Sequence, residues 1–405
     1  MAFFGVTIEK IATSRIHSGA DRLSICTLED MNFQFVTGKN EYKPGETVLY
    51  FPLDCLFPFE LMEKMNLVKE KKADGEIVLD ENGDPVIEGM LRGKKHNRLR
   101  TVRLRGEISQ GLVGPLNLIH DILIADGTPP ERVSKAFQPP IVDPERITEF
   151  LGIEKYEPPV VPCQNANLHQ LPAELSVYDI EGADRFTTVA ERLMNQRVLV
   201  TEKVEGQNFS AIYRPKTDEF FVNQRNYTII PKEDGGTHMF WKVANEMGLL
   251  PFLKEYADNH DCESVTLYGE FIGPGIQKNI YGLKKHTVKF FDVKIDGRFL
   301  SVDDKFVIFN NLSFFGENVN TLSTGSAVAN LIAITVPSIN SCNATLSEWL
   351  DGKTIQEASN GKSVLKPDIL REGIVITPAE EQWESSIGRL ILKQRSELYL
   401  LNSGF

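Results

Sequence analysis

Cysteine is scarce in this chain: five in 405 residues, at Cys26, Cys55, Cys163, Cys262 and Cys342, with no C-x-x-C pair. A sparse, odd set excludes a disulfide framework, argues against a structural zinc site and fits a reducing compartment such as the cytoplasm. Long apolar runs are missing too. MAFFGVTIEK has only a handful of apolar residues before Glu9, and the stretch around Leu331–Val336 falls far short of the roughly 18 residues of a membrane span. Neither a signal peptide nor a membrane partner is expected. Positive charge is in deficit, since 44 Lys and Arg against 56 Asp and Glu leave a net charge of −12. That disfavours a protein that coats nucleic acid through net charge alone, so any basic footprint has to be local. Familiar catalytic signatures are absent as well. There is no H-E-x-x-H and no G-x-S-x-G, and DGKT at 351–354 and SNGKS at 359–363 have Ser347 and Gln356 where a P-loop needs its first glycine. Both read as turns at helix ends.

The composition is that of a folded chain, with 41% apolar and 25% charged residues, and its length suggests two or three domains. Between Tyr156 and Leu175 the text YEPPVVPCQNANLHQLPAEL is dense in Pro and Asn and has neither helical nor strand period, as an interdomain connection does. The expected division is 1–155, a connection at 156–175, and 176–405. Upstream, short β-type runs such as Phe33–Thr37 and Thr47–Pro52 are punctuated by Gly and Pro, which predicts a small barrel. Residues 69–90 predict a protruding hairpin or loop, and its DENGD lacks the glycine and distal glutamate of a calcium loop. Downstream, helical stretches at Met239–Tyr256 and Thr345–Ala358 mix with short β-branched runs, including a hairpin over Val288–Val302 turning at Asp296-Gly297. The fold class expected is therefore α+β with antiparallel sheets. Asn310–Asn330 reads as a polar insertion.

One chemical motif recurs. K-x-D/E-G, in which lysine is a nucleophile and glycine allows close backbone approach, occurs at Lys72-Ala-Asp-Gly, Lys203-Val-Glu-Gly and Lys294-Ile-Asp-Gly, besides a match at Lys232-Glu-Asp-Gly. Average residue usage predicts one chance match in about one protein in five of this length. The first lies in the charged loop and the third at the hairpin turn, so turn chemistry accounts for both. The second heads an ordered series: EKVEGQNFS, FVNQRNY, TLYGEFIG, VKFFDVKI, REGIVITP and GRLILKQRS.

This ordered set over about residues 175–405 resembles the covalent nucleotidyltransferases, and within them the nick-sealing, ATP-dependent RNA ligases. TIEKIATSRIHSGADRLSICTLED and VRLRGEISQGLVGPL resemble the OB-type module that precedes the catalytic domain in ligases of the Deinococcus type. The resemblance implies an OB-like barrel followed by a nucleotidyltransferase domain of antiparallel sheets flanked by helices. It implies that Lys203 takes AMP from ATP and that Lys393 contacts the α-phosphate. Glu205, Glu270 and Glu372 match ribose-binding and metal-binding positions for Mg2+ or Mn2+. Phe291 matches the adenine-stacking aromatic, with Phe290 its core neighbour and Asp292 a candidate for orienting the site. Arg395 stands where a second lysine is frequent, and Asn208 and Arg225 match positions used in the RNA-dependent steps. Glu205 departs from the aspartate or histidine of related proteins, which leaves open direct ribose contact or water-mediated metal contact. About ten residues follow Ser396, leaving no room for the C-terminal OB domain of DNA ligases and capping guanylyltransferases. The expected partner is RNA, a nicked duplex with a 3′-OH RNA end, bound by a monomer. A capping-type guanylyltransferase and a non-catalytic RNA-binding protein are the alternatives.

A local basic footprint exists. RGKKHNRLRTVRLR at 92–105 carries seven Lys and Arg and no acid. A bulge near Thr101 is expected to put Arg98, Arg100, Arg103 and Arg105 on one face against the RNA backbone, with Leu99, Val102 and Leu104 inward.

Overall fold

The computed structural model describes residues 4–73, 75–125, 127, 142–157, 166–232, 238–318 and 333–402. Two compact units are present, one built on Phe3–Pro159 and the other on Val160–Tyr399.

In the first unit, closely spaced β-branched and aromatic residues form β1 (Thr7–Ile16), β2 (Leu23–Leu28), β3 (Gln34–Gly38), β4 (Thr47–Phe51) and β5 (Leu112–Gly114). They pair antiparallel in the order β5-β4-β1-β2-β3. Strand β1 serves two neighbours: Thr7–Lys10 pairs with β4 and Ile11–Ile16 with β2, and a register shift between Ile11 and Thr13 bends it. Beyond β3, the backbone N–H of Gln110 donates to Gln34 O at 3.0 Å and that of Val36 to Ser109 Oγ at 3.0 Å, which brings the sheet round to a nearly closed OB-type barrel. Strand β4 is buried throughout because both its faces meet apolar neighbours. Val48 and Tyr50 pack with Ile11 and Phe35, while Leu49 and Phe51 pack with Phe57, Leu61 and Ile147. The 69–90 stretch is the expected hairpin, with Val68–Glu70 paired to Ile87–Gly89. At its tip Asp80 Oδ1 accepts from the backbone N–H groups of Asn82 and Asp84, so DENGD is a turn held by its own aspartate.

The second unit has two sheets. The larger contains β6 (Ala166–Gln170), β9 (Gln207–Arg214), β10 (Glu219–Gln224), β11 (Tyr227–Pro231), β12 (Val265–Ile272), β13 (Thr287–Ile295) and β14 (Arg298–Phe299), in the order β6-β11-β10-β9-β12-β13-β14. The smaller contains β7 (Glu181–Gly182), β8 (Val198–Lys203), β15 (Gly373–Pro378) and β16 (Leu392–Arg395), in the order β7-β16-β15-β8. In the smaller sheet only the β7–β16 pair is parallel. One face of the larger sheet, with Phe209, Leu267, Phe271 and Phe290, is covered by α1 (Met239–Glu246), α2 (Leu249–His260) and α3 (Val302–Asn318). Gly248, at φ +64, breaks the expected 239–256 helix into α1 and α2. In the smaller sheet Val198, Val200, Ile374, Ile376 and Leu392 pack against α4 (Leu346–Leu350) and α5 (Ile355–Ser359). Both short helices start with capping boxes, Thr345 with Glu348 and Thr354 with Glu357. DGKT is thus the turn between them, with Asp351 and Gly352 at positive φ.

Two expectations need correction. The connection at 156–175 is not free of structure: Ala166–Gln170 is the edge strand paired with Tyr227–Pro231. Its polar text follows from its place at the edge, where one face meets solvent. Asn310–Asn330 is not a polar insertion as a whole, because α3 runs through Asn318, turns Leu312 into the core and packs Phe315 against it. Residues 319–330 of that segment, and Cys163, lie outside the described residues.

Candidate active site

Strand alternation decides where Lys203 goes. Along β8, Val198 and Val200 enter the core, so the opposite parity, Leu199, Thr201 and Lys203, lies on the other face. Glu202 shares the core parity, is almost wholly buried, and accepts the backbone N–H of Val364 at 2.6 Å. Lys203 pairs with Gly373, Gly373 with Arg395, and Val375 with Lys393. Cross-strand partners share a face, so Lys203 from β8 and Lys393 and Arg395 from β16 project together on either side of β15, whose Gly373 lies between Lys203 and Arg395. Glu372 closes the cluster. Its Oε1 is 2.6 Å from Lys203 Nζ and 3.8 Å from Arg395 Nε.

The larger sheet supplies the other residues. Its core-facing parity holds Phe209 and Phe271, which leaves Asn208 and Glu270, directly paired across β9 and β12, on the opposite face. Lys289 pairs with Glu270 on the next strand and donates to Ala333 O at 2.5 Å. Between Tyr268 and Gly269 the register of β12 and β13 shifts, leaving Phe291 as the extra residue of a bulge. A bulge re-aims a side chain. Phe290 is fully buried in the core, whereas Phe291 packs beside Tyr178, ring centroids 5.0 Å apart. Asp292, wholly buried, accepts from Tyr178 Oη at 2.6 Å and pairs with Arg389 and Lys305.

Gly206 explains why the K-x-D/E-G match at Lys203 differs from those at Lys72 and Lys294. Gly75 and Gly297 are turn glycines at φ +90 and +80 with open space around them. At Gly206 an added Cβ would stand 2.5 Å from Phe271 O and 2.7 Å from Ile272 Cγ2, so the glycine permits the chain to cross from β8 to β9 against β12. Lys294 donates to Glu174 O at 2.8 Å, and Asp296 accepts the backbone N–H groups of Glu263 and Ser264. That motif is structural.

The electrostatics fit a site built for a ligand. Burial pushes the Glu270 carboxyl up to about 8, with Lys203 pulling against it. Glu205 is raised by burial and by Glu372. Its Oε1 accepts weakly from Lys278 N at 3.4 Å, its own N–H donates to Tyr281 Oη at 2.8 Å, and its buried Oε2 has no partner. Lys393 is pushed down by burial, which the nearby Asp179 opposes and Lys203 and Arg395 reinforce. The Nε atoms of Arg225 and Arg395 are likewise buried without a hydrogen bond. Arg225 and Lys393 both reach Asp179, at 3.0 and 3.7 Å. Asp179 and Tyr178 escaped the sequence reading because they lie beside a Pro-rich stretch outside every recognisable motif. Among the described residues no three acidic, histidine or cysteine side chains converge as a metal-holding group. Glu205, Glu270 and Glu372 therefore do not form a closed ligand cage, and a metal held by them would need further oxygens from water or phosphate.

The basic stretch is a correction. The chain is not one strand: Val102–Leu104 pairs with Glu107–Ser109, but Arg98 through Thr101 lies outside it. Arg98 donates to Asp54 Oδ1 at 2.6 and 3.0 Å and lies 3.4 Å over the Tyr156 ring. Arg100 is partly buried, Arg103 donates to Gly106 O, and Arg105 sits at positive φ in the turn. Leu99 is inward as expected, but Leu104 is exposed. A three-residue strand cannot present four arginines on one face, and the outward charge is carried instead by Arg92, Lys94, Lys95, Arg103 and Arg105. No described helix is long and apolar enough to cross a membrane.

A family model described as RNA ligase matches residues 196–395, and a model of an OB-fold domain matches residues 5–116. No curated protein matches the sequence. Among solved structures the chain is similar to Naegleria gruberi RNA ligase with pyrophosphate, at 23% identity and a TM-score of 0.69 over 98% of this chain and 97% of that one. It is equally similar to variants of that ligase with AMP and manganese (22%, TM-score 0.68) and with ATP and manganese (23%, TM-score 0.68), each over 98% of this chain and 97% of the other. At that identity the likeness establishes the fold. Lys203, Glu205, Glu270, Phe291, Glu372, Lys393 and Arg395 all fall within residues 196–395, the segment of this chain that is similar to the RNA ligase family.

Proposed function

We propose that this protein is an ATP-dependent RNA ligase that joins a 3′-hydroxyl to a 5′-phosphate through a lysyl-AMP intermediate. The observation that carries the reading is the convergence of Lys203, Lys393 and Arg395 on one sheet face around Glu372, inside the matched RNA ligase segment. In the first step Lys203 Nζ forms a bond to the α-phosphorus of ATP as the bond to pyrophosphate breaks. The Lys203 ammonium first has to leave Glu372 and give up a proton. Lys393 and Arg395 balance charge on the transferring phosphoryl group, an effect that depends on groups already in place. The AMP then passes to the oxygen of an RNA 5′-phosphate, and a 3′-hydroxyl attacks that phosphorus with release of AMP. Asn208 and Arg225 serve these later steps. Phe291, re-aimed by its bulge, offers a flat face to adenine. A divalent metal, Mg2+ or Mn2+, neutralises triphosphate charge when bound, and Glu205, with its unpartnered Oε2, Glu270 and Glu372 are the residues that would hold it or the ribose. Supporting this reading, the similar Naegleria ligase has been solved with ATP, with AMP and with pyrophosphate.

We assign the barrel of the first unit to RNA binding through the outward cations of 92–105, on a nicked duplex as in ligases of the Deinococcus type. Incubation with labelled ATP or GTP and magnesium tests the whole. Covalent AMP on the wild-type chain and none on Lys203→Ala is the expected result. Covalent GMP would mean a capping-type enzyme, and no label at all a binding protein.

A further inference from the structure

Next to the motif residues, one short segment makes contacts that no motif explains. Residues 176–180 run without regular structure into β7, whose Gly182 pairs with Lys393, and Ala183 N donates to Lys393 O at 2.8 Å. The segment therefore travels alongside the strand that carries Lys393 and Arg395. Its adjacent side chains go separate ways. Asp179, almost fully buried, places Oδ2 3.0 Å from the Arg225 guanidinium and Oδ1 3.7 Å from Lys393 Nζ. Tyr178 donates from Oη to Asp292 Oδ2 at 2.6 Å and accepts from Arg389 at 2.9 Å. Its ring lies 5.0 Å from that of Phe291 and 5.1 Å from that of Tyr268.

We propose that Tyr178 and Asp179 are positioning residues of the nucleotide site, Asp179 setting Lys393 and Arg225 and Tyr178 setting Phe291. The proposal rests on the ligase reading above. Two cations aimed at one cleft repel each other and have long, mobile side chains. A buried carboxylate between them fixes both and offsets their repulsion, so that neither has to reorganise when a phosphate arrives. The Tyr178 ring, pinned at its hydroxyl end by Asp292 and Arg389, limits the directions open to Phe291. The wholly buried Asp292 is itself balanced by Arg389 and Lys305, which makes the support rigid. The segment lies before residue 196, where the ligase match begins.

Single-turnover formation of lysyl-AMP, followed across ATP concentrations in the full-length protein, separates the two roles. Asp179→Asn keeps shape but loses charge, and is expected to lower the limiting rate about 10–100-fold while the half-saturating ATP concentration stays within about threefold. Asp179→Glu should recover part of that rate. Tyr178→Phe keeps the ring but loses both hydroxyl links, and is expected to raise half-saturating ATP about 3–10-fold with the limiting rate within about twofold. Joining of a pre-adenylylated nicked RNA should also slow in Asp179→Asn, because Arg225 is released. A merely structural role lowers the amplitude of labelling through the folded fraction and leaves both constants alone. That pattern, or wild-type constants in both variants, would overturn the proposal. Label on Lys203→Ala would instead overturn the ligase reading beneath it.

Discussion

Gly206 shows what a single residue contributes when backbone approaches backbone. The carbonyl of Phe271 cannot swing aside as a flexible side chain can, so Gly206→Ala should lower stability by about 1–3 kcal/mol, read from the urea midpoint, and slow lysyl-AMP formation at least about tenfold. Gly297→Ala, strained only by its positive φ, should keep labelling at the wild-type rate although it loses about 1 kcal/mol of stability. Equal loss of labelling in both would show that Gly206 serves only the fold. Lys393 and Arg395 divide along similar lines. Lys393→Ala removes a half-buried cation on the site face, and its adenylylation rate is expected to fall about 10²–10³-fold, as for loss of one preorganised charge donor. Arg395→Lys keeps the charge beside Glu372 and should cost less than about tenfold in the same assay.

At the scale of elements, β13 carries two unlike devices in successive residues: the Phe291 bulge and the buried Asp292 cluster. Burial pushes the Asp292 carboxyl up, but Lys305, Arg389 and the Tyr178 hydrogen bond outweigh it and hold the group below its ordinary value. A carboxyl held low in the folded protein adds stability at every pH above its unfolded value of about 3.9, and the contribution vanishes as pH falls through the folded value. Asp292→Ala, which leaves two buried cations short of their anion, should cost about 3–5 kcal/mol near neutrality. The gap in urea midpoint between wild type and Asp292→Asn should hold steady above about pH 5 and narrow below about pH 4. A gap independent of pH would mean that Asp292 is not ionised in the fold. Helix α5 depends on its cap in the same local way. Thr354→Ala removes the bond to Glu357 N and should cost about 1 kcal/mol in thermal or urea unfolding. Because Gln356 and Ser359 hydrogen-bond Arg395 O, that loss also loosens the end of β16.

The two units make separate predictions for the whole molecule. A fragment beginning at Val160 keeps Ala166–Gln170, and with it a partner for the Tyr227–Pro231 strand. It should fold, since about 240 residues can bury their own core, and take AMP from ATP, yet lose joining of RNA ends without the barrel and its cations. A fragment beginning at Ser176 uncovers that strand edge and should aggregate or unfold at lower urea. A Val160 fragment that joins nicks as fast as the intact protein would refute an RNA-binding role for the barrel. Within the barrel, Arg98→Ala should act chiefly on stability by losing Asp54 and Tyr156. Neutralising Lys94, Lys95, Arg103 and Arg105 together should weaken RNA binding and flatten its salt dependence.

How much of this was legible beforehand depends on the range of the interactions involved. The barrel's strands, the Asp296-Gly297 hairpin and the capped turn at DGKT follow from local rules, because period, turn chemistry and capping act within a few residues. The ordered motifs around Lys203, Glu270, Glu372 and Lys393 could be read as a set for the same reason: each is a short strand with a polar residue of fixed parity. What local text does not contain is which strands pair. Only pairing places Lys203, Gly373 and Arg395 side by side across nearly 200 residues and makes Ala166–Gln170 an edge strand inside an apparent linker. Only tertiary packing commits Arg98 to Asp54, and only it brings Tyr178 and Asp179 to Phe291, Arg225 and Lys393. These contacts are decided by burial and by charges far apart in the chain, where a lone Tyr-Asp before a short strand carries no signal of its own.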